Sequence, residues 1–356
     1  MKNWFYILYI GLMGFWASSC QSSLVEEVQL PPGKMQITFT LALDEPESRS
    51  RAEGDWNEHE NGDNGIIGSE FENRIDLNTL QVLVYTTDGK ELLGKVINPI
   101  VERLQKENGR VYKFRGDLEV PVNSIVNGTL ACRLMVYANC ATVTSLTEPT
   151  YNFTNGMLIP MWGVQQCTLQ NMEKGEVVDV SQPIYLIRSM AKVEVKLAAE
   201  GFSLSSVTVD KYHTTGNVLP TGAASATATE NLDTEAVFNP NATTNGTNLA
   251  FTKVTDKEFY VYLPEYQNVG SDVSPAVISV VIGEKTYSIQ FKNYVNGSAT
   301  DQAYNIIRNH SYQYTITSVN TVEEVLLADL QYQSIPWRDV NNGNLNFGNA
   351  DGDVTK

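Results

Sequence analysis

Three histidines and four cysteines are the side chains here with most to offer chemically, and their spacing limits what they can do. His59, His213 and His310 stand far apart, and none falls in HExxH or another metal-ligand spacing. No GxSxG elbow, Walker loop or dinucleotide fingerprint occurs, so acyl transfer and nucleotide chemistry lack a nucleophile or a phosphate cradle. His310 sits in RNHSY with no nucleophile or carboxylate motif beside it, and it is expected to be structural. Asp55–Gly65 (DWNEHENGDNG) is dense in oxygen ligands. However, Glu60 stands where a calcium loop needs glycine and no glutamate closes the loop, so a solvated linker is expected. The carboxylates are too many and too scattered to nominate a glycosidase pair. No catalytic, metal or cofactor site is expected, and the chain is not expected to be an enzyme.

Cys20 is different. Lys2 precedes an apolar run from Trp4 to Trp16, then Ala17, Ser18 and Ser19 lead to the cysteine. A short positive region, an apolar core and small residues at the cut site make a cleaved signal peptide (1–19), and the run is too short to span a bilayer. A cysteine at the end of the small residues is expected to carry a lipid through its sulfur. Ala17 and Ser19 depart from the commonest form of that motif. Buried methylenes at about 0.8 kcal/mol each would make such an anchor permanent unless the chain is cut. Of the other thiols, Cys132 and Cys140 would be held about 26 Å apart by an extended strand. Cys167 is left as a possible partner for either, but three buried free thiols are the favoured expectation.

The elements around these residues are expected to be strands. After removal of the signal about 337 residues remain, enough for two domains. The net charge of −16 argues against nucleic acid or an anionic membrane as partner. Residues 35–43 (MQITFTLAL) alternate, with Met35, Ile37, Phe39, Leu41 and Leu43 on one face. Further strands are expected at 80–86, 111–120, 130–138, 177–186, 202–209, 259–263, 277–282, 286–291, 312–317 and 325–333. Residues 191–197 (AKVEVKL) place Ala191, Val193, Val195 and Leu197 inward and Lys192, Glu194 and Lys196 outward. Only 101–107 suggests a short helix. Residues 44–70, 221–247 and the tail after Trp337 are polar and unpatterned, and are expected to lie outside the core. A boundary is expected near Gln182–Arg188. Many short strands with turn signals indicate all-β sandwiches.

With no catalytic motif, weight falls on binding and assembly. The strand at 35–43 is followed by Glu47-Ser48-Arg49-Ser50-Arg51-Ala52, a basic site in acidic surroundings of the kind proteases cut. Near the other end, residues 325–335 (VLLADLQYQSI) form a last strand with Leu326, Ala328, Leu330 and Tyr332 on one face. A removable first strand and an apolar terminal strand are the two halves of donor-strand assembly.

Read in order, these segments resemble the fimbrillin family, the type V pilins of Bacteroidetes. The resemblance rests on the lipoprotein signal, Arg51-Ala52 after an early strand, LQVLVYTTDG, VYANCA at Tyr137–Ala141, and RSMAKVEV at Arg188–Val195. It continues through YVYLPEY at Tyr260–Tyr266, IIRNHSYQYTIT at Ile306–Thr317 and IPW at Ile335–Trp337. It implies two tandem transthyretin-like β-sandwich domains, 52–185 and 186–337, behind a lipidated pro-segment, 20–51, and ahead of a flexible tail, 338–356. It implies attachment to the outer membrane through the lipid before processing, and a place at the cell surface in a fimbrium. It also implies an Arg-specific surface protease cutting at Arg51–Ala52 (Arg49 is an alternative, Arg74 a weaker one). The strand Met35–Leu43 would then be lost, and Val325–Ile335 of another pilin subunit would replace it. Host or bacterial surface ligands are further expected partners. The competing expectation is a monomeric surface lipoprotein that binds glycans through sandwich aromatics.

Overall fold

Alternation of apolar and polar side chains puts successive residues on opposite faces of a strand, and this pattern runs through most of the chain. The computed structural model describes residues 35–43, 65–67, 71–105, 110–143, 149–172, 177–229, 232, 245–270, 274–295, 298–319 and 330–336. Among them there is no α-helix, and the regular elements are strands and short 3-10 turns.

The principal strands are β1 (Met35–Leu43), β2 (Gln81–Tyr85), β3 (Leu92–Gln105), β4 (Arg110–Glu119), β5 (Leu130–Ala138) and β6 (Met161–Leu169). They are followed by β7 (Val177–Asp179), β8 (Ile184–Arg188), β9 (Met190–Leu197), β10 (Leu204–Asp210), β11 (Leu249–Ala250) and β12 (Thr252–Thr255). The last are β13 (Glu258–Pro264), β14 (Val277–Ile282), β15 (Lys285–Gln290), β16 (His310–Ile316) and β17 (Leu330–Pro336).

An 8-stranded sheet runs β7-β1-β8-β6-β5-β2-β3-β4, and a further pairing of β1 with β4 closes it on itself. Its central strands are buried on both faces. From β2, Val82 and Val84 enter an inner core with Leu134 and Val136 of β5. Their neighbours Leu83, Tyr85, Met135 and Tyr137 enter a separate outer cluster. Gly163 lies where β6 passes β8, and a Cβ there would stand 2.3 Å from the Tyr185 carbonyl oxygen.

The remaining strands make a 5-stranded sheet, β12-β13-β9-β16-β17, and a 4-stranded sheet, β11-β10-β14-β15. A second core lies between them, with Val193, Val261 and Tyr312 from one sheet and Val207, Ile278 and Ile289 from the other. Buried members of the first core all precede Ile187, and those of the second all follow Met190. The outer cluster draws on both parts of the chain, joining Tyr137 and Trp162 to Val218, Ala223 and Tyr262.

Four expectations need correction. Residues 101–105 are not helical but continue β3, paired with β4 across two irregularities. Cross-strand partners there override the helix-forming side chains of VERLQ. The expected strand 177–186 is two strands, with Pro183, which has no N–H to give a ladder, between them. Residues 221–229 are not outside the core: Ala223, Ala226 and Thr229 are buried. That segment lies along β6, where the Gln166 N–H donates to the Thr227 carbonyl at 2.6 Å and the Val164 N–H to Thr229 Oγ1 at 2.7 Å. Finally, Lys192 and Glu194 lie on the face of β9 opposite the core, but both are buried.

Candidate strand-exchange site

Strand β1 is bonded along both edges. On one side all nine residues pair antiparallel with β4, from Met35 opposite Leu118 to Leu43 opposite Arg110. On the other side it pairs parallel with β7 through Gln36–Thr38 and with β8 through Leu41–Leu43. The gap between those two short strands is bridged by the Val180 N–H, which donates to the Thr38 carbonyl at 2.9 Å.

The side chains follow the expected phase. Ile37, Phe39 and Leu41 are each 0% exposed and Leu43 is 2% exposed, while Met35 is half-buried against the same core. The Phe39 ring stacks on Phe114 of β4 with centroids 5.4 Å apart. Thr38 and Ala42 on the opposite face are buried as well. At about 1.5–3 kcal/mol per buried large apolar side chain, this strand contributes roughly 10 kcal/mol of burial. Taking it away would open a groove lined by Tyr112, Phe114, Leu118, Val178, Ile184 and Leu186 and leave two strand edges unpaired.

The last described strand, β17, is held differently. It pairs antiparallel with β16, from Leu330 opposite Ile316 to Pro336 opposite His310, and is the terminal strand of its sheet. Of the expected donor residues, Leu330 and Tyr332 fall in this strand; Leu326 and Ala328 lie outside the described residues. So do Cys20, Arg49, Arg51 and Ala52, and His59 with the acidic segment up to residue 64.

Sequence reasoning missed a buried polar junction between the two parts of the chain. Arg188 is 1% exposed; its Nε donates to the Glu72 carbonyl at 2.8 Å, its Nη1 to Asn309 Oδ1 at 3.3 Å, and its Nη2 to Asn73 Oδ1. Lys192 Nζ lies 3.4 Å from Glu72 and 3.0 Å from Glu194. The Tyr262 hydroxyl donates to Glu72 Oε2 at 2.8 Å. Burial alone would raise the Glu72 carboxyl, but Lys192, a backbone N–H and Tyr262 together hold it below the ordinary value. Nearby, Arg308 forks onto Glu265 through Nε at 3.0 Å and Nη2 at 2.8 Å, and its Nη1 donates to the Val218 carbonyl at 2.8 Å. Arg188, Lys192, Glu194, Tyr262, Glu265, Arg308 and Asn309 come from RSMAKVEV, YVYLPEY and IIRNHSY, so charges set inside apolar runs were the available signal for them, whereas Glu72 and Asn73 lie outside those motifs.

The histidines join the same framework. His310 Nδ1 is 2.7 Å from the Arg308 carbonyl, and His213 Nδ1 is 2.7 Å from that of Glu265. Burial lowers the His213 pKa. Among the described residues no group of three or more His, Cys, Asp or Glu is placed to hold a metal, and no helix is long and apolar enough to cross a membrane.

No protein-family model matches the chain, and no curated protein sequence does. Among solved structures, the chain is similar to the tip fimbrial protein Mfa3 of Porphyromonas gingivalis with its C-terminus truncated. The identity is 12% and the TM-score 0.49, over 85% of this chain and 100% of that one. A candidate cell adhesion protein of Bacteroides uniformis aligns at 11% identity and a TM-score of 0.45, over 87% of this chain and 100% of that one. A fimbrial assembly protein of Parabacteroides distasonis aligns at 16% identity and a TM-score of 0.42, over 81% and 92%. The likeness to all three is one of structure.

Proposed function

We propose that this chain is a structural pilus subunit that contributes to adhesion: it is exported as a lipoprotein on Cys20, cut after Arg51 and polymerised by donor-strand exchange. The observation that carries this reading is the seating of β1. The strand is buried on both faces and bonded on both edges, and the basic site Arg49–Arg51 follows it within eight residues of Leu43. Loss of a strand so placed leaves a groove that only another strand can fill, in burial and in hydrogen bonds together. β17, an edge strand paired along one side, would be the donor that fills such a groove in a neighbour. The processed subunit would consist of two β-sandwich domains, 52–185 and 186–337. Its partners would be other pilin subunits and an Arg-specific surface protease. Cleavage at Arg51 would release residues 20–51 with the lipid, so the anchor is a temporary tether used for export and holding.

Glycan binding through sandwich aromatics has less support, because every Phe, Tyr and Trp whose burial is described is buried or half-buried.

The test is to treat the purified precursor with an Arg-specific protease and follow it by N-terminal sequencing and gel electrophoresis. A new N-terminus at Ala52 (or Ser50 if Arg49 is used) and heat-resistant ladders are expected. A chain that stays monomeric under every processing condition would remove the assembly reading.

A further inference from the structure

Cys132 in β5 and Cys167 in β6 are direct cross-strand partners, and their sulfurs lie 3.7 Å apart. We infer that this pair is a built disulfide site, oxidised to a bridge that staples β5 to β6 in the wall of the first core. Three observations carry the assignment. Opposed residues of an antiparallel pair have Cα atoms about 4.5–5.5 Å apart, inside the range of about 4.4–6.8 Å that a disulfide spans. The sulfurs therefore need only small side-chain rotations to reach bonding distance, with no change of register. The third thiol is on the other side of the sheet: Cys132 belongs to the inner core and Cys167 packs against that core, whereas Cys140 belongs to the outer cluster. Cys132 is fully buried and Cys167 only partly, so Cys167 is the more accessible residue of the pair.

That asymmetry fixes the order of events. The hydrogen bond between the two thiols lowers the Cys167 pKa, while the same contact and burial raise that of Cys132. The Cys167 thiolate attacks one sulfur of a small-molecule or protein disulfide and forms a mixed disulfide, and the first thiolate of the oxidant leaves. Cys132 then attacks Cys167 Sγ, its proton passing to the departing thiolate of the oxidant. The Cys132–Cys167 bond forms, the mixed disulfide breaks, and the second oxidant thiolate leaves. Two protein thiols are oxidised to one disulfide, and the oxidant disulfide is reduced to two thiols.

The bridge closes a loop that carries Tyr151, Phe153 and Ile159 into the outer cluster, so it should raise thermal stability. The experiment uses the purified full-length chain, reduced and then exposed to glutathione disulfide, with thiols alkylated before and after denaturation. Trypsin separates Cys132 on Gly116–Arg133 from Cys140 and Cys167 on Leu134–Lys174, so mass spectrometry of the wild type and of Cys140→Ala locates the bond. A crosslink of these two peptides that survives in Cys140→Ala and vanishes in Cys167→Ser is expected, with a melting temperature about 5 °C above the reduced chain. The site is overturned if all three thiols still alkylate after denaturation, if glutathione remains on Cys167 without resolving, or if the crosslink is lost in Cys140→Ala. If a variant fails to fold, fragmenting the crosslinked pair from the wild type alone locates the bond equally well.

Discussion

Lys192 and Glu72 are 120 residues apart in the chain and 3.4 Å apart in the fold, both largely withdrawn from water. Removing one partner of a buried pair leaves the other charge uncompensated, which typically costs about 3–5 kcal/mol. Lys192 keeps Glu194 at 3.0 Å, so Glu72→Ala is expected at the lower end, about 3 kcal/mol, by denaturant unfolding. Glu72→Gln retains an acceptor for Tyr262 and should lose less. Equal stability of Glu72→Ala and wild type would mean that the junction contributes nothing to the fold.

The same carboxylate gives a pH dependence. Glu72 titrates below its ordinary value of 4.5 in the folded chain, so its contribution is complete above that pH and lost as pH falls through the lowered value. The melting temperature of the wild type should exceed that of Glu72→Gln at neutral pH, and the two should converge in acid as pH falls below 4.5 and through the lowered value. Parallel curves throughout would contradict this.

Phe39 tests the seating of β1. Its ring is fully buried and stacked on Phe114, and Phe39→Ala is expected to cost about 3–5 kcal/mol in the uncut chain. If the strand is removed on processing, the same substitution should leave the cleaved, assembled form unchanged. Denaturation of both forms separates the two effects.

Gly163→Ala should destabilise by about 1–3 kcal/mol, because the added methyl meets the Tyr185 carbonyl oxygen at 2.3 Å and Leu186 Cδ2 at 2.8 Å. A side chain could yield, but backbone in a paired strand cannot move without disturbing β8. Thermal melting of the variant would show it.

Assembly has its own test in the last strand. Leu326→Asp with Leu330→Asp should abolish protease-triggered ladders and leave the melting temperature of the precursor within a few degrees of wild type, since β17 lies at a sheet edge. Normal polymers from this variant would rule out the strand as donor.

Most strands were legible because alternation is a local property. Residues 130–138 and 277–282 were expected as strands and are strands with those limits. The errors share one cause. VERLQ favours a helix until β4 supplies a ladder. Residues 221–229 look like loop until β6 gives Ala223, Ala226 and Thr229 something to pack against. Lys192 and Glu194 look solvent-facing until Glu72 and Tyr262 arrive to cover them. β3 and β6 were overlooked, their apolar residues being interrupted by Pro99 and by Gln165 and Gln166.

By itself the sequence determined the class of the fold, the inward face of β1, the placing of the basic site just after it, and the lack of any motif for catalysis. Each of these is written in neighbouring residues. Only the tertiary structure decided that β1 is the strand closing the first sheet on itself, that charges from three distant motifs meet at one junction, and that Cys132 faces Cys167 rather than Cys140. Strand pairing joins residues by register across the sheet, and register is fixed by packing of the whole core, which no local stretch of sequence contains.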